Sequence, residues 1–599
     1  SAIPGQDYDR LSGTSMASPN LAGATALIRQ YVKADANAER FGLAGFKKES
    51  TEYNIRVTAL VNQLMMSTAD IIMNKNGLPY AVRKQGAGLV NLLNSVTSAS
   101  FITTYDRDTD KAMDKSKLEL KDDKERTGVY TATFDINNVS GSSVTYDLST
   151  IIQTEGVSET YTTHGDTVVT QEGYLLSGTT FEVKNVENGS KNGTSVSIAA
   201  NSVAKVTVEI RLSDEDKAYL ERSFKYGMYV EGFIRFKATA GTTVNLNLPL
   251  LSFYGDWTEA PIFDEEYYDT NVDEVNAGLD DKDKLMADAY ATRVIGGLYS
   301  DYIMTMGVYP FTQNPSAGKI AANKDKIAMS LPTGLDDDEG SSITKIRSIS
   351  AGLLRNVGTA TVTIVEDSTG REVFSQVIRN QRKSMHGGST IYGSSMDIDF
   401  SALEKNLKNN TKYTVTVKTY IDYGDNAEQK NARNTFEFPL YIDFQAPTVT
   451  DVTFRTEYDK TTKKTKLFAD FDIYDNHYAM AVQVGQIVAA EPGSRYTYAM
   501  NSFSKYLTPV YSSYNSTSKV SIEITDYVED IKKSMGPKFD EEGNYTVETN
   551  NDSFVVTCYD YAFNSASYQI RVWVFDIGKS YRHCVDLVAG QWIDFESDT

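Results

Sequence analysis

The sequence predicts a multidomain protein: a mixed α/β segment first, then a row of mostly antiparallel β-sandwich modules. Three observations carry this. At 599 residues the chain is too long for one hydrophobic core. Up to about residue 98, apolar residues recur at helical spacing. From about Tyr105 onward, runs alternate with period two. They are rich in Val, Thr, Tyr and Phe and are broken by Gly, Asn, Asp and Ser. The boundaries implied are 1–98, 105–254, 255–446 and 447–599, the third stretch having an acidic, loop-rich start.

An apolar fraction of 41% is that of folded domains. No run of about 18 apolar residues occurs, so no transmembrane segment is expected. A net charge of -21 argues against nucleic acid, because affinity for phosphate backbones comes from clustered Lys and Arg. There are only two cysteines, Cys558 and Cys584, so the framework is not disulfide-based. They pair if their strands are neighbours and otherwise stay as buried thiols. The chain starts at Ser1 without a signal peptide, and a nucleophile candidate follows at once. We therefore expect a fragment, a processed chain or an incomplete reading of the gene.

That candidate lies in Leu11-Ser-Gly-Thr-Ser-Met-Ala-Ser-Pro-Asn-Leu-Ala-Gly23. Gly13 permits a tight turn before the serine. Leu21, Ala24, Leu27, Ile28 and Tyr31 then recur at helical spacing. Ser15 is placed at or beside the first helical position, where free backbone N–H groups and the helix dipole favour a developing oxyanion. Pro19 falls about one turn in, where its missing N–H costs little. An isolated serine here would more often be only an N-cap.

Gly13, Thr14, Ser15, Met16, Ala17, Ser18, Pro19, Ala22 and Gly23 together resemble the active-serine segment of the subtilisin-like serine peptidases. Further on, Val57 to Ala69 reads as a helix. The turn and short helix of Lys84-Gln-Gly-Ala-Gly-Leu-Val-Asn91 resemble the end of the catalytic domain in the cell-envelope and C5a-peptidase-like branch. Between them, Lys33 to Glu52 is polar and reads as a surface loop. Met228-Tyr-Val-Glu-Gly-Phe-Ile-Arg-Phe236 and Leu248 to Trp257 resemble strands of the fibronectin-III-like module that follows in this branch. Val129 to Ile136, Ala204 to Ile210 and Thr243 to Leu248 are further strand candidates, linked to the serine domain by a charged connection from Thr103 to Lys117. Phe436-Glu-Phe-Pro-Leu-Tyr-Ile-Asp443 echoes the apolar ending around Pro249. Val555 to Asn564 resembles the end of an immunoglobulin-like module. After Ser100 the clearest helical signal is Ser401 to Leu407.

The resemblance implies a secreted or cell-surface bacterial serine endopeptidase acting on proteins or peptides through an acyl-enzyme on Ser15. Cell-wall attachment would run through a region outside this chain. The implied chemistry uses Ser-His-Asp, with Asp, His and an oxyanion Asn earlier in the chain than the serine. Only fourteen residues precede Ser15, and none is His. Of the four histidines, His164, His386, His477 and His583, the first two fall in β modules and on the wrong side of the serine, and His477 reads as a loop or strand-edge residue. The 599 residues alone are therefore expected to be inactive. An α/β-hydrolase would need its His after the Ser in a hydrolase sheet, which no downstream segment supports. The rival reading is a non-catalytic extracellular binding or spacer protein with a vestigial peptidase remnant.

No cofactor is needed for this chemistry. Structural calcium is plausible by resemblance, without assigned ligands. Asp269, Asn271, Asp273 and Asp280 have the one, three, five and twelve spacing of an EF-hand-like loop. Glu274 stands where Gly belongs, however, and Asp280 where a bidentate Glu is usual. The simpler reading of this loop, and of Asp336-Asp-Asp-Glu339, is a solvated acidic turn.

Overall fold

The computed structural model describes residues 2–3, 7–8, 12–158, 168–264, 266–268, 292–298, 302–309, 322–330, 344–387, 390–392, 394–399, 407–421, 423, 432–489, 498–500, 507–526, 538–539, 545–546, 553–577, 580–587 and 591–594. The chain falls into two compact units, 1–260 and 261–599. The loop carrying Asp269, Asn271, Asp273 and Asp280 lies outside the described residues, as do His164, Asp336 to Glu339 and most of Ser401 to Leu407.

The first unit opens with a helix over Thr14–Lys33. Ala24, Ile28 and Val32 form its buried stripe, four residues apart as a helix requires. This stripe meets a second helix, Thr51–Ser67, whose buried side is Tyr53, Val57, Leu60, Val61 and Leu64. The Ser50 hydroxyl accepts from the Tyr53 N–H at 3.2 Å and caps that helix. The stretch between the helices is not simply a surface loop. It holds a short helix, Asp35–Ala38, and it buries Phe41 and Leu43 in the core. Two apolar side chains are enough to anchor an otherwise polar segment, because each buried one is worth about 1.5–3 kcal/mol.

Next comes the Gln-Gly-Ala-Gly segment. After a helical turn over Val82–Gln85, Leu89 pairs with Asp70 through two backbone hydrogen bonds of 2.8 Å. Gly88 has φ +120°, and a Cβ there would overlap the Asp70 carbonyl, so only glycine fits. Gln85 holds the facing loop, accepting from Ile72 N–H and donating to the carbonyls of Ile72 and Tyr80. A helix over Leu92–Thr97, capped by Asn91, closes this part.

The sandwich begins earlier than the alternation suggested. Ser100–Thr104 is already a strand, paired with Val129–Asn138. Phe101 within it belongs to the helical core, so both halves of the unit share packing. One sheet runs 100–104, 129–138, 202–211, 180–187, and the other centres on 118–123, 246–254, 228–240 and 144–158. Their inner faces bury alternate residues such as Tyr130, Ala132, Phe134 and Ile136. Phe134 and Phe236 meet edge to face at 5.6 Å. A helix over Asp214–Ser223 interrupts the strands, started by a capping box between Ser213 and Asp216. The last strand starts at Leu246, three residues beyond Thr243.

In the second unit, 435–442, 411–420, 357–366 and 371–381 form one sheet, and 293–298, 344–351 and their neighbours another. A further pair of sheets follows, built around 448–459, 464–475 and 516–523, and around 479–489, 553–560 and 565–577. Pro249 and Pro439 occupy equivalent places in two final strands. Each pairs on one side, with Phe233 and Thr414, at a point where no partner on the other side asks for an N–H.

Cys558 is buried with a free thiol. Its strand and that of Cys584 both pair with 565–577, at Ala566 and Trp573 respectively. The two backbones are thus about 9–10 Å apart across the sheet and further along it, beyond the reach of a disulfide.

Candidate active site

Gly13 has φ 148° and ψ 167°, and the helix begins directly after it. Its carbonyl accepts from Met16 N–H at 3.0 Å and Ala17 N–H at 3.2 Å. The N–H groups of Thr14 and Ser15 precede the first intrahelical donor and point outward without a helical partner. No side chain caps this end. Pro19 has no N–H to offer the Ser15 carbonyl four residues earlier. Ser15 is exposed, and its hydroxyl has no hydrogen-bond partner among the described residues. The geometry therefore supplies a presented hydroxyl and an electropositive helix end but, among the described residues, no group that takes the hydroxyl's proton.

Among the described residues no histidine partners Ser15. Among the described residues of the first unit there is no histidine. His477, in the second unit, is 2% exposed, with Nε2 3.1 Å from the Asp325 carbonyl and its ring 4.0 Å from that of Tyr441. Burial pushes its pKa down to about 3, so it is neutral and structural. His386 and His583 lie on strands whose side chains are outside the described ones.

The helix around Ser15 is half covered. Ala24 and Ile28 are buried as the spacing predicts, but Leu21 is 47% and Leu27 56% exposed. Ile55, Ile72, Leu89, Leu92 and Leu93 are exposed too. So many exposed large apolar side chains in one small helical segment are what a segment shows when part of its packing lies elsewhere.

Residues 1–88 match the model of the subtilase family, and residues 118–251 match that of an Fn3-like domain. A PII-type proteinase of Lactococcus lactis subsp. cremoris is 26% identical over 76% of this chain and 21% of its own. Residues 1–88 are thus subtilase-like, and the chain is similar to the cell-envelope and C5a-peptidase-like branch of that family. A PII-type proteinase of Lacticaseibacillus paracasei is 30% identical over 43% of this chain and 12% of its own. The C5a peptidase of Streptococcus pyogenes is 26% identical over 48% and 22%. The chain spans about a fifth of the length of the first of these relatives. The solved secreted serine protease VesC from Vibrio cholerae aligns over 55% of this chain and 46% of its own, at 12% identity. Its TM-score of 0.16 is too low to indicate a shared fold.

The subtilase-like helical segment is bolted to the Fn3-like domain by contacts that sequence reading missed. Arg83 donates from Nε and Nη2 to Glu231 Oε1 at 3.1 and 2.8 Å, and from its backbone N–H to Oε2 at 3.1 Å. It also pairs with Glu155 and lies 4.1 Å over the Tyr229 ring. Gln153 donates to the Pro79 carbonyl at 3.0 Å, and Asn247 donates to the Ala69 carbonyl. A visible signal existed in Glu231, an acid set between Val230 and Gly232 in the largely apolar start of the strand Met228–Ala240, since buried charges need partners.

Proposed function

We propose that Ser15 is the nucleophile of a secreted bacterial serine endopeptidase that cleaves protein substrates. The observation that carries this is an exposed Ser15 behind a left-handed Gly13, at the start of a 20-residue helix, inside the segment that matches the subtilase family. In the reaction, Ser15 Oγ attacks the scissile carbonyl carbon as a base takes its proton. The carbonyl π electrons move to oxygen, and the free N–H groups at the helix start receive that oxyanion. The C–N bond then breaks, with the proton passing from the base to the leaving amine, and water releases the acyl group.

A hydroxyl does none of this without a base. The described residues around Ser15 offer no imidazole, so the Asp and His come from outside them. The exposed Leu21, Leu27, Leu92 and Leu93 support the same reading, as the face on which the remainder of a catalytic domain would pack. The 599 residues alone are therefore inactive. Incubated with a fluorophosphonate probe, the purified chain should remain unlabelled, as should Ser15→Ala. In a longer form that includes the Asp and His, labelling should appear and be lost on Ser15→Ala. Stoichiometric labelling of the 599-residue chain would overturn the inactivity. Labelling of the longer form that survives Ser15→Ala would overturn Ser15.

A further inference from the structure

Three carboxylates converge in the second unit, away from anything the peptidase reading uses. Asp443 follows the last strand of the 255–446 stretch, Thr435–Ile442. Asp475 and Asp560 are the final residues of Lys464–Asp475 and Ser553–Asp560, which belong to the two different sheets of the 447–599 stretch. All three are buried, at 1%, 2% and 0% exposure. One carboxylate oxygen from each lies within 4.8 Å of the others. That spacing lets a single ion at the 2.3–2.6 Å typical of calcium touch all three.

The surroundings do not neutralise them. Among the described residues no Lys or Arg forms an ion pair with Asp443, Asp475 or Asp560. Their partners are neutral amides. Asn476 Nδ2 and Gln445 N–H donate to Asp443 Oδ1, both at 3.0 Å, and His477 N–H donates to Asp475 Oδ1 at 2.8 Å. Asn564 Nδ2 donates to Asp560 Oδ2 at 2.7 Å and to the Asp443 carbonyl at 2.9 Å. Asp443 Oδ2 and Asp475 Oδ2 have no partner among the described residues although both are buried. An orphaned buried carboxylate oxygen is costly, and two of them in a triad of like charges call for a cation. Burial accordingly raises the proton affinity of all three acids in the metal-free chain.

We propose that Asp443, Asp475 and Asp560 bind one calcium ion that locks the Phe444–Pro447 linker against both sheets of the following β module. The donor set is all oxygen and anionic, which suits a hard cation and not zinc. Three protein carboxylates in a buried site favour calcium over magnesium, which keeps several waters and takes one or two carboxylates. The physical consequence is a stiff joint. Asn564 already ties the linker to the Asp560 turn, and the ion would add the 464–475 strand to the same node.

The test is calcium titration of the whole 599-residue chain by calorimetry after chelator treatment, in parallel with hydrogen exchange. Calcium should raise the melting temperature and slow exchange at 443–447, 475–479 and 560–564. Asp475→Asn and Asp560→Asn should each weaken this binding more than about tenfold and abolish the thermal response. The sign of the variant effect is diagnostic. With calcium present Asp475→Asn should be less stable than the parent, whereas in chelator it should be more stable, because a like charge has been removed. If the variants misfold, the parent's exchange pattern with and without calcium still decides. No calcium-dependent protection at these three segments would overturn the proposal, as would Asp475→Asn stabilising equally in calcium and chelator. Equal protection by magnesium would overturn the assignment of the ion.

Discussion

Replacing Arg83 by Ala should loosen the helical segment from its Fn3-like domain. The substitution removes the two guanidinium bonds to Glu231, the pair with Glu155 and the stacking on Tyr229. It leaves the Glu231 side chain 2% exposed, with only the backbone N–H of residue 83 as partner. Stranding one member of a buried pair costs about 3–5 kcal/mol. The surviving N–H bond and the 31% exposure of Arg83 place this case at the lower end, about 3 kcal/mol. Glu231→Gln keeps the shape and drops the charge. It should cost only about 1–2 kcal/mol, the difference between a charge-assisted and a neutral hydrogen bond. The double variant should cost clearly less than the two together, since no charge is left stranded. The readout is hydrogen exchange of peptides covering 80–91 and 228–236 in the intact chain. There, 3 kcal/mol appears as about a hundredfold faster opening, at 1.4 kcal/mol per tenfold. A change below about tenfold for Arg83→Ala, or strict additivity in the double variant, would refute the clamp.

Gly88→Ala should destabilise the Asp70–Leu89 pairing by at least about 1–3 kcal/mol, from strain alone, visible as new protease cleavage between residues 70 and 90. Burial pushes the Cys558 thiol up to about 12, so it should resist thiol reagents in the folded chain and react on unfolding. As pH rises past about 8.5, the unfolded thiol loses its proton while the folded one keeps it. Stability should therefore fall by up to about 1.4 kcal/mol per pH unit in that window, and Cys558→Ala should lack this part of the slope. Non-reducing mass analysis should find no Cys558–Cys584 bridge. The serine helix over 14–23, exposed on most of its surface, should exchange faster than the 129–136 strand. Equal protection would contradict the half-covered helix. In an active longer form, Arg83→Ala should reduce cleavage of a folded protein more than of a short peptide, because remote contacts serve only the large substrate. Equal losses on both would make the β module a spacer.

Much of this molecule could be read from order alone. The thirteen residues from Leu11 to Gly23 carry the subtilase resemblance and make Ser15 the candidate nucleophile, since a nucleophile at a helix start needs a glycine turn, small neighbours and an apolar stripe in strict succession. Period-two alternation found the sandwich strands, because each strand buries one face. The Asp214–Ser223 helix was missed although Ser213 and Asp216 stand in capping-box register, a signal weaker than the strands around it. Phe41 and Leu43 were missed because two apolar residues in a polar run have no period.

What the sequence could not decide is which distant residues meet. Arg83 lies 148 positions from Glu231, and Asp443, Asp475 and Asp560 are spread over more than a hundred residues. Each of the three aspartates closes a similar strand ending, Tyr-Ile-Asp443, Ile-Tyr-Asp475 and Cys-Tyr-Asp560, which marks a strand terminus and nothing more by itself. Only the stacking of two sheets, with a linker laid across their ends, brings those carboxylates within one ion's reach. Local pattern sets which face of each strand is buried, but the burial that turns a charge into a partner-seeking group depends on what the remaining chain places over it.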